Sequence, residues 1–187
     1  MIHIPNISDT DRIPRCQAIL EHPLYIKHYE RLLRFEKDRI FCRHTFEHFM
    51  DVGRIAYIIN LEKELGISKE IIYTVALLHD IGRAEQYENN TPHEKAGADI
   101  SKTILTECGY SDDEIKLVTS AILSHRGNKT GEGRSCGNAM SKDDCKDESM
   151  LSDIIYFADK ASRQCFRCSA FEQCNWSMDK RNLEVRI

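Results

Sequence analysis

Six residues have the chemistry of a metal or acid–base centre: His48, the adjacent pair His79 and Asp80, His93, His125 and Asp159. Singly, each has an ordinary explanation, since a histidine on a helix is most often a surface or satisfied core residue. The His79–Asp80 pair stands apart because it directly follows the apolar run from Val75 to Leu78. A carboxylate beside a buried apolar stretch carries a large desolvation cost unless a cation compensates it. A metal ion supplies that cation, and imidazole with carboxylate suits Zn, Fe, Mn or Ni. Asp159 repeats the pattern after Ile154, Ile155, Tyr156, Phe157 and Ala158. Two acids so placed predict one polar centre inside a helical bundle.

The elements that must position these residues are helical, with no strand alternation. Ile19 and Leu20 mark a short helix that Pro23 interrupts, and Leu24, Tyr29, Leu32, Leu33 and Phe35 mark the next. A long helix is predicted from about Thr45 to Leu65, carrying His48, with Val52, Ile55, Ile58, Ile59 and Leu61 inward and Gly66 as its stop. Ser68 is placed as the N-cap of a helix that reaches Gly82; its last part is apolar nearly all round and therefore buried. Polar residues Glu85 to Thr91 read as a loop, and Pro92 suits the first turn of the helix with His93, Ala96, Ile100, Ile104 and Leu105. Ser111 to Glu114 form a capping-box signature that opens the helix ending near His125. Gly127 to Lys146 is rich in Gly, Ser, Lys and Asp and reads as a mobile cover over a pocket mouth, the alternative being a disordered insertion. Met150 to Ala161 is the final core helix, and the chain after Trp176 reads as a surface tail.

Composition narrows the classes. A chain of 187 residues fits one domain, and 41% hydrophobic with 30% charged residues is ordinary globular usage. A net charge of −4 provides no basic field for an extended nucleic-acid surface. No apolar run approaches the ~20 residues a membrane helix needs. The first residues lack a signal-peptide pattern, so the expected location is cytoplasmic. The eight cysteines are accordingly read as reduced thiols. Cys16, Cys42 and Cys108 are scattered and read as small buried thiols. Cys136, Cys145, Cys174 and the pair Cys165-x-x-Cys168 fall in the last third. The paired spacing can place two thiolates on one zinc, with the other three completing the set. Without a second such pair, reduced thiols in a turn are the plainer reading.

An upstream His48, then Leu77-Leu-His-Asp-Ile-Gly-Arg83, two further histidines and Ala158-Asp159-Lys160 together resemble the HD superfamily of metal-dependent phosphohydrolases, over about Phe41 to Arg163. The resemblance implies an all-α fold, a single HD-domain helical bundle over 41–163 with a metal site in its core. A helical segment at 1–40 packs on it, and a Cys-containing tail spans 164–187. It implies a first metal on His48, His79, Asp80 and Asp159. His44, one turn before His48, competes for the first position but suits a capping or pocket-wall role where the helix starts. His93 and His125 match the histidines that two-metal members add, with Asp80 bridging; the alternative is that they only line the pocket. The cofactor is then one or two divalent transition metals (Fe, Mn, Zn, Ni or Co, with Mg admissible).

Asp80 and Arg83 take the catalytic roles in this resemblance, and Arg83, Arg126 and Lys160 bind substrate, with Arg163 a weaker choice. The implied function is hydrolysis of a phosphate ester, a nucleotide or other small phosphorylated metabolite, by metal-activated water. A diiron oxygenase on the same ligands, and a non-catalytic nucleotide-binding module, are the alternatives. The sequence after His79, Arg-Ala-Glu-Gln-Tyr following Gly82, lacks the HD-GYP signature for cyclic dinucleotides. The expected partner is a small phosphorylated substrate, with no membrane involved and a homodimer left open.

Overall fold

The computed structural model describes residues 12–125 and 142–185, with side chains from 148 onward in the second stretch. Among these residues the regular structure is eight α-helices and three single-turn 3-10 helices, without strands, so the fold is all-α as expected. No described helix is long and apolar enough to cross a membrane.

The bundle is built around α4 (Lys69–Leu78), which contacts α1 (Pro14–Glu21), α3 (Phe46–Glu62), α7 (Asp112–Ser124) and α8 (Lys142–Ala161). Ile71, Ile72, Thr74, Val75, Ala76, Leu77 and Leu78 are all buried, the consequence of an apolar sequence on every face. The remaining helices are α2 (Pro23–Phe35), α5 (Arg83–Asn89) and α6 (His93–Glu107). Pro23 separates α1 from α2 without damage, because at a first helical position its missing N–H is not needed. The Ser111/Glu114 capping box closes fully at the start of α7.

Several boundaries differ from expectation for identifiable reasons. Glu85 to Asn89 are helical, not loop: Arg, Ala, Glu and Gln are good helix formers, and α5 ends only where Asn90 takes the left-handed conformation at φ 56°. Its polarity reflects a surface position, with Ala84 alone buried. The helix before it stops at Leu78 instead of continuing to Gly82. The helix α3 ends at Glu62, and Glu64 and Gly66 both adopt positive φ. Ile58 and Leu61 lie on its exposed side, whereas Phe49, Val52, Gly53, Ala56 and Asn60 face inward. Ser68 occupies the N-cap of α4 but its side chain makes no capping bond. The last helix starts at Lys142, eight residues before the expected Met150, which shortens the predicted loop. What remains of that loop, together with Arg126, Cys136 and the side chain of Cys145, falls outside the described residues.

Arg15 ties three helices together. Its guanidinium donates to Glu70 Oε2 at 2.6 and 2.9 Å and to both Glu114 carboxylate oxygens at 2.7 and 2.9 Å. These bonds hold the Glu114 carboxyl down to about 2 against an ordinary 4.5, with burial opposing. A carboxyl depressed on folding contributes its stability above its ordinary value and loses it as pH falls through the folded value. Arg15→Met should therefore cost about 1 kcal/mol near neutral pH, as partly exposed pairs do, and flatten the loss of stability between pH 4.5 and 2. Urea denaturation at several pH values reads this directly. Parallel curves for variant and parent would remove Arg15 from the acid response.

Candidate metal centre

Three helix ends and two helix starts deliver the polar residues to one place. His48 sits in the first turn of α3, behind the Thr45 N-cap. His79 and Asp80 follow the last turn of α4, His93 opens α6, His125 ends α7 and Asp159 lies near the end of α8. His79, Asp80, His93 and His125 are each at most 1% exposed. Two groups result, His48–His79–Asp80–Asp159 and Asp80–His93–His125, each with ligand atoms within 4.8 Å of one another.

The hydrogen bonds fix which nitrogen of each ring faces the centre. His79 Nδ1 lies 2.8 Å from Ala76 O and His125 Nδ1 2.5 Å from Ile122 O, and a carbonyl only accepts. His93 Nδ1 donates to Gln86 Oε1 at 3.0 Å, an oxygen that also accepts from Arg83 Nη1. Ser162 Oγ donates to Asp159 O at 2.9 Å and so accepts from His48 Nδ1 at 3.2 Å. With Nδ1 engaged in all four rings, every Nε2 is the nitrogen turned to the centre and left available to an ion, the arrangement that outer partners impose on metal-binding histidines. Nε2 of His48 and of His79 is buried with no hydrogen-bond partner among the described residues. Nε2 of His93 and His125 face each other at 3.1 Å, a contact that needs a cation or a proton between or beside them. The donor set therefore fits a metal.

The carboxylates complete it. Asp80 divides its oxygens: Oδ2 lies 3.2 Å from His79 Nε2 and 4.0 Å from His48 Nε2, while Oδ1 lies 3.2 Å from His93 Nε2 and 3.7 Å from His125 Nε2. Burial favours protonation of Asp80, but His44, Arg83 and His79 hold its carboxyl well below the usual range. Asp159 is likewise held low, Lys160 and Arg163 outweighing burial. Burial, aided by His79, pushes His48 down to about 3, which keeps its imidazole neutral and able to ligate. Asp159 Oδ1 is 3.6 Å from His48 Nε2.

Gly82 makes this convergence possible. A Cβ there would stand 2.2 Å from His93 O and 2.4 Å from Gly97 N, both backbone atoms that cannot move aside alone. Gly82→Ala should therefore push α6 and His93 away from Asp80 and destabilise the fold by about 1–3 kcal/mol. Thermal unfolding and metal content both report it; a variant with parental values for both would mean the backbone yields freely.

The remaining sequence candidates fall around the centre. His44 Nε2 is 3.4 Å from Asp80 Oδ2, but its Nδ1 and backbone N–H both donate to Glu36, and it stands outside the four-residue group. Arg83 Nε donates to Asp80 Oδ1 at 2.7 Å. Lys160 pairs with Asp159 Oδ2, and Arg163 Nη2 lies 3.4 Å from the same oxygen. These residues line a cavity of about 300 Å³ above the centre. Its lining brings together six cations, Arg39, Arg43, Arg83, Lys160, Arg163 and Arg181, on a chain of net negative charge.

Sequence reasoning missed the supporting partners Glu36, Gln86, Tyr87 and Ser162. Ser162 and Gln86 lie within seven residues of a candidate, a local signal, whereas Glu36 and Tyr87 meet only through the packing of α2 on α5. The segment after Trp176 is mostly exposed, as expected of a surface tail, but it is anchored at one residue. Asn182, 7% exposed, donates to Lys160 O, Ala161 O and Arg163 O at 2.6, 3.2 and 2.9 Å. That clamp folds the segment back over the cavity. Cys42, expected to be buried, is exposed on the cavity wall.

The HD domain family matches residues 45–164. An uncharacterized protein of Clostridium beijerinckii is 44% identical over 171 residues, covering 91% of this chain and 98% of its own length. Ribonuclease Y of Clostridium botulinum is 31% identical over 106 residues, which is 57% of this chain and 19% of that protein. Ribonuclease Y of Clostridium tetani is 27% identical over 111 residues, again 19% of its length. The chain thus spans about a fifth of each ribonuclease Y it matches. No solved structure gives a significant match.

Proposed function

The chain belongs to the HD domain family, and on that premise we propose that it is a metal-dependent phosphohydrolase acting on a small phosphorylated molecule of the nucleotide class. One observation carries the reading: four imidazoles, each tied down through Nδ1, turn their Nε2 atoms toward two carboxylates, and Asp80 presents one oxygen to each histidine pair. His48, His79, Asp80 and Asp159 would hold one ion, and Asp80, His93 and His125 a second. Ions of the Fe, Mn, Zn, Ni, Co or Mg type supply Lewis acidity there, making water a nucleophile near neutral pH and polarising a phosphoryl oxygen.

The chain's own residues do the rest. Arg83 Nε fixes the orientation of Asp80 through Oδ1. Arg163 stacks on Trp176 with its guanidinium carbon 3.8 Å from the ring centroid, and its Nη1 is buried without a hydrogen-bond partner among the described residues. A planar donor held in place with a free N–H is suited to a phosphoryl oxygen that gains charge in the transition state. Lys160 neutralises the outer side of Asp159 and adds to the positive cavity wall. The likeness to proteins named ribonuclease Y supports a phosphate ester as the bond acted upon. The net charge of −4, with cations gathered at the cavity, favours a small anion over a long polymer.

Phosphate release from a panel of nucleotides and other phosphomonoesters, with Mn²⁺, Fe²⁺, Co²⁺ or Mg²⁺ supplied in turn, tests this. Turnover with at least one pair is the expected result. Metal-loaded protein that releases no phosphate but consumes oxygen would favour the oxygenase chemistry instead.

A further inference from the structure

Four thiols gather on the wall of the same cavity, away from the histidine and aspartate cluster. Cys42 comes from the segment before α3; Cys165, Cys168 and Cys174 come from the segment after α8. None is in a disulfide. Cys42 lies within electrostatic reach of Cys165 and Cys168. The other two cysteines with described side chains are elsewhere: Cys16 is in the core against Thr74, and Cys108 caps α6. We propose that Cys42, Cys165, Cys168 and Cys174 are the ligands of a 4Fe–4S cluster at the mouth of the cavity, distinct from the histidine and aspartate centre.

The backbone that carries these thiols is built to hold them. Cys165 opens one 3-10 turn and Cys168 closes it, its N–H donating to Cys165 O at 3.1 Å. Cys174 closes the next turn, over Phe171–Gln173, its N–H donating to Phe171 O. Arg181 donates to the carbonyls of Phe171, Cys174 and Trp176 at 3.0, 2.8 and 2.7 Å. On the opposite side Arg39 Nε donates to Cys42 O at 2.9 Å. Side chains thus fix the carbonyls next to the thiols on both strands of the ring, a cost in conformational freedom that a plain surface turn does not require.

Spacing favours the cluster over a single zinc. Zinc at about 2.3 Å from each thiolate in a tetrahedron places the sulfurs roughly 3.8 Å apart. Among the described residues no group of three metal-ligating atoms within 4.8 Å of one another includes a cysteine. Four thiols around one cavity, with no three of them gathered that closely among the described residues, suit a cofactor with an iron at each corner, where each cysteine binds its own iron. Charge agrees as well: four thiolates need compensation, and Arg39, Arg43, Arg163 and Arg181 share the lining. Such a cluster would join the segment before α3 to the C-terminal segment, closing one side of the substrate cavity.

The test is full-length chain purified without oxygen and reconstituted with equal parts of ferrous and ferric iron and with sulfide, which together supply the two Fe²⁺ and two Fe³⁺ of the core. The expected product has a broad visible charge-transfer band and about four acid-labile sulfides per chain. Sulfide separates cluster iron from iron in the histidine and aspartate centre, so Asp80→Asn should keep both sulfide and band. Cys42→Ser and Cys174→Ser should each lose them, whereas Cys108→Ser should not. Should a serine variant fail to keep its helical circular dichroism, alkylation of the reconstituted parent replaces it: Cys108 should react while the four ligands are protected. A sulfide-free chain with one zinc that the same variants lose overturns the proposal, as does a Cys42→Ser chain with full sulfide or equal alkylation of all these cysteines.

Discussion

Asp80→Asn is expected to lose metal and turnover together. Its two oxygens face different histidine pairs, so the substitution removes the one anionic group shared by both. It also leaves Arg83 without its carboxylate partner in a half-buried position. Loss of an outer partner of a metal site typically costs about 10–100-fold in affinity, and a shared ligand should exceed that. Metal analysis after dialysis, paired with phosphate release, measures both. A variant that keeps its metal and its turnover would remove Asp80 from the centre.

Arg163→Ala should instead leave metal content unchanged while lowering kcat/KM by about 100-fold or more, the size of effect seen when one transition-state donor is removed. Its guanidinium contacts Asp159 only at 3.4 Å, and Lys160 remains on the same oxygen. Arg83→Ala should behave differently. Because Arg83 Nε holds Asp80 Oδ1 at 2.7 Å, its removal should weaken metal binding by about 10-fold as well as slow turnover. Steady-state kinetics with metal analysis on the two variants separates the roles. Equal metal loss in both, or unchanged kcat/KM in Arg163→Ala, would contradict this division.

Much of the centre was legible because its residues lie at helix ends that local sequence marks. An apolar run that stops at His79-Asp80, and another that stops at Asp159, show buried acids without any knowledge of packing. The capping box at Ser111 locates α7 and hence His125 at its far end. The short helix α5 was not read from the sequence, since its helix formers are polar and carry no apolar stripe to mark a buried face. Glu36, the C-cap of α2, orients His44 in the connection to α3, and no helical spacing announces such a partner. The inward side of α3 was misjudged by ranking Ile58 and Leu61 above Gly53 and Asn60. Gly53 is inward because Tyr73 approaches it closely, and Asn60 because its amide pairs with both backbone groups of Ile67. The role of Cys42 was hidden because its neighbours come from the other end of the chain.

The central claim is that Asp80 carries two ions side by side. Electron paramagnetic resonance of the chain loaded with Mn²⁺ tests it most directly. Two ions sharing the Asp80 carboxylate should give an exchange-coupled signal at full loading, and His93→Ala with His125→Ala should convert it to that of an isolated Mn²⁺. A fully loaded parent that shows only isolated Mn²⁺, unchanged by that double substitution, would contradict the account.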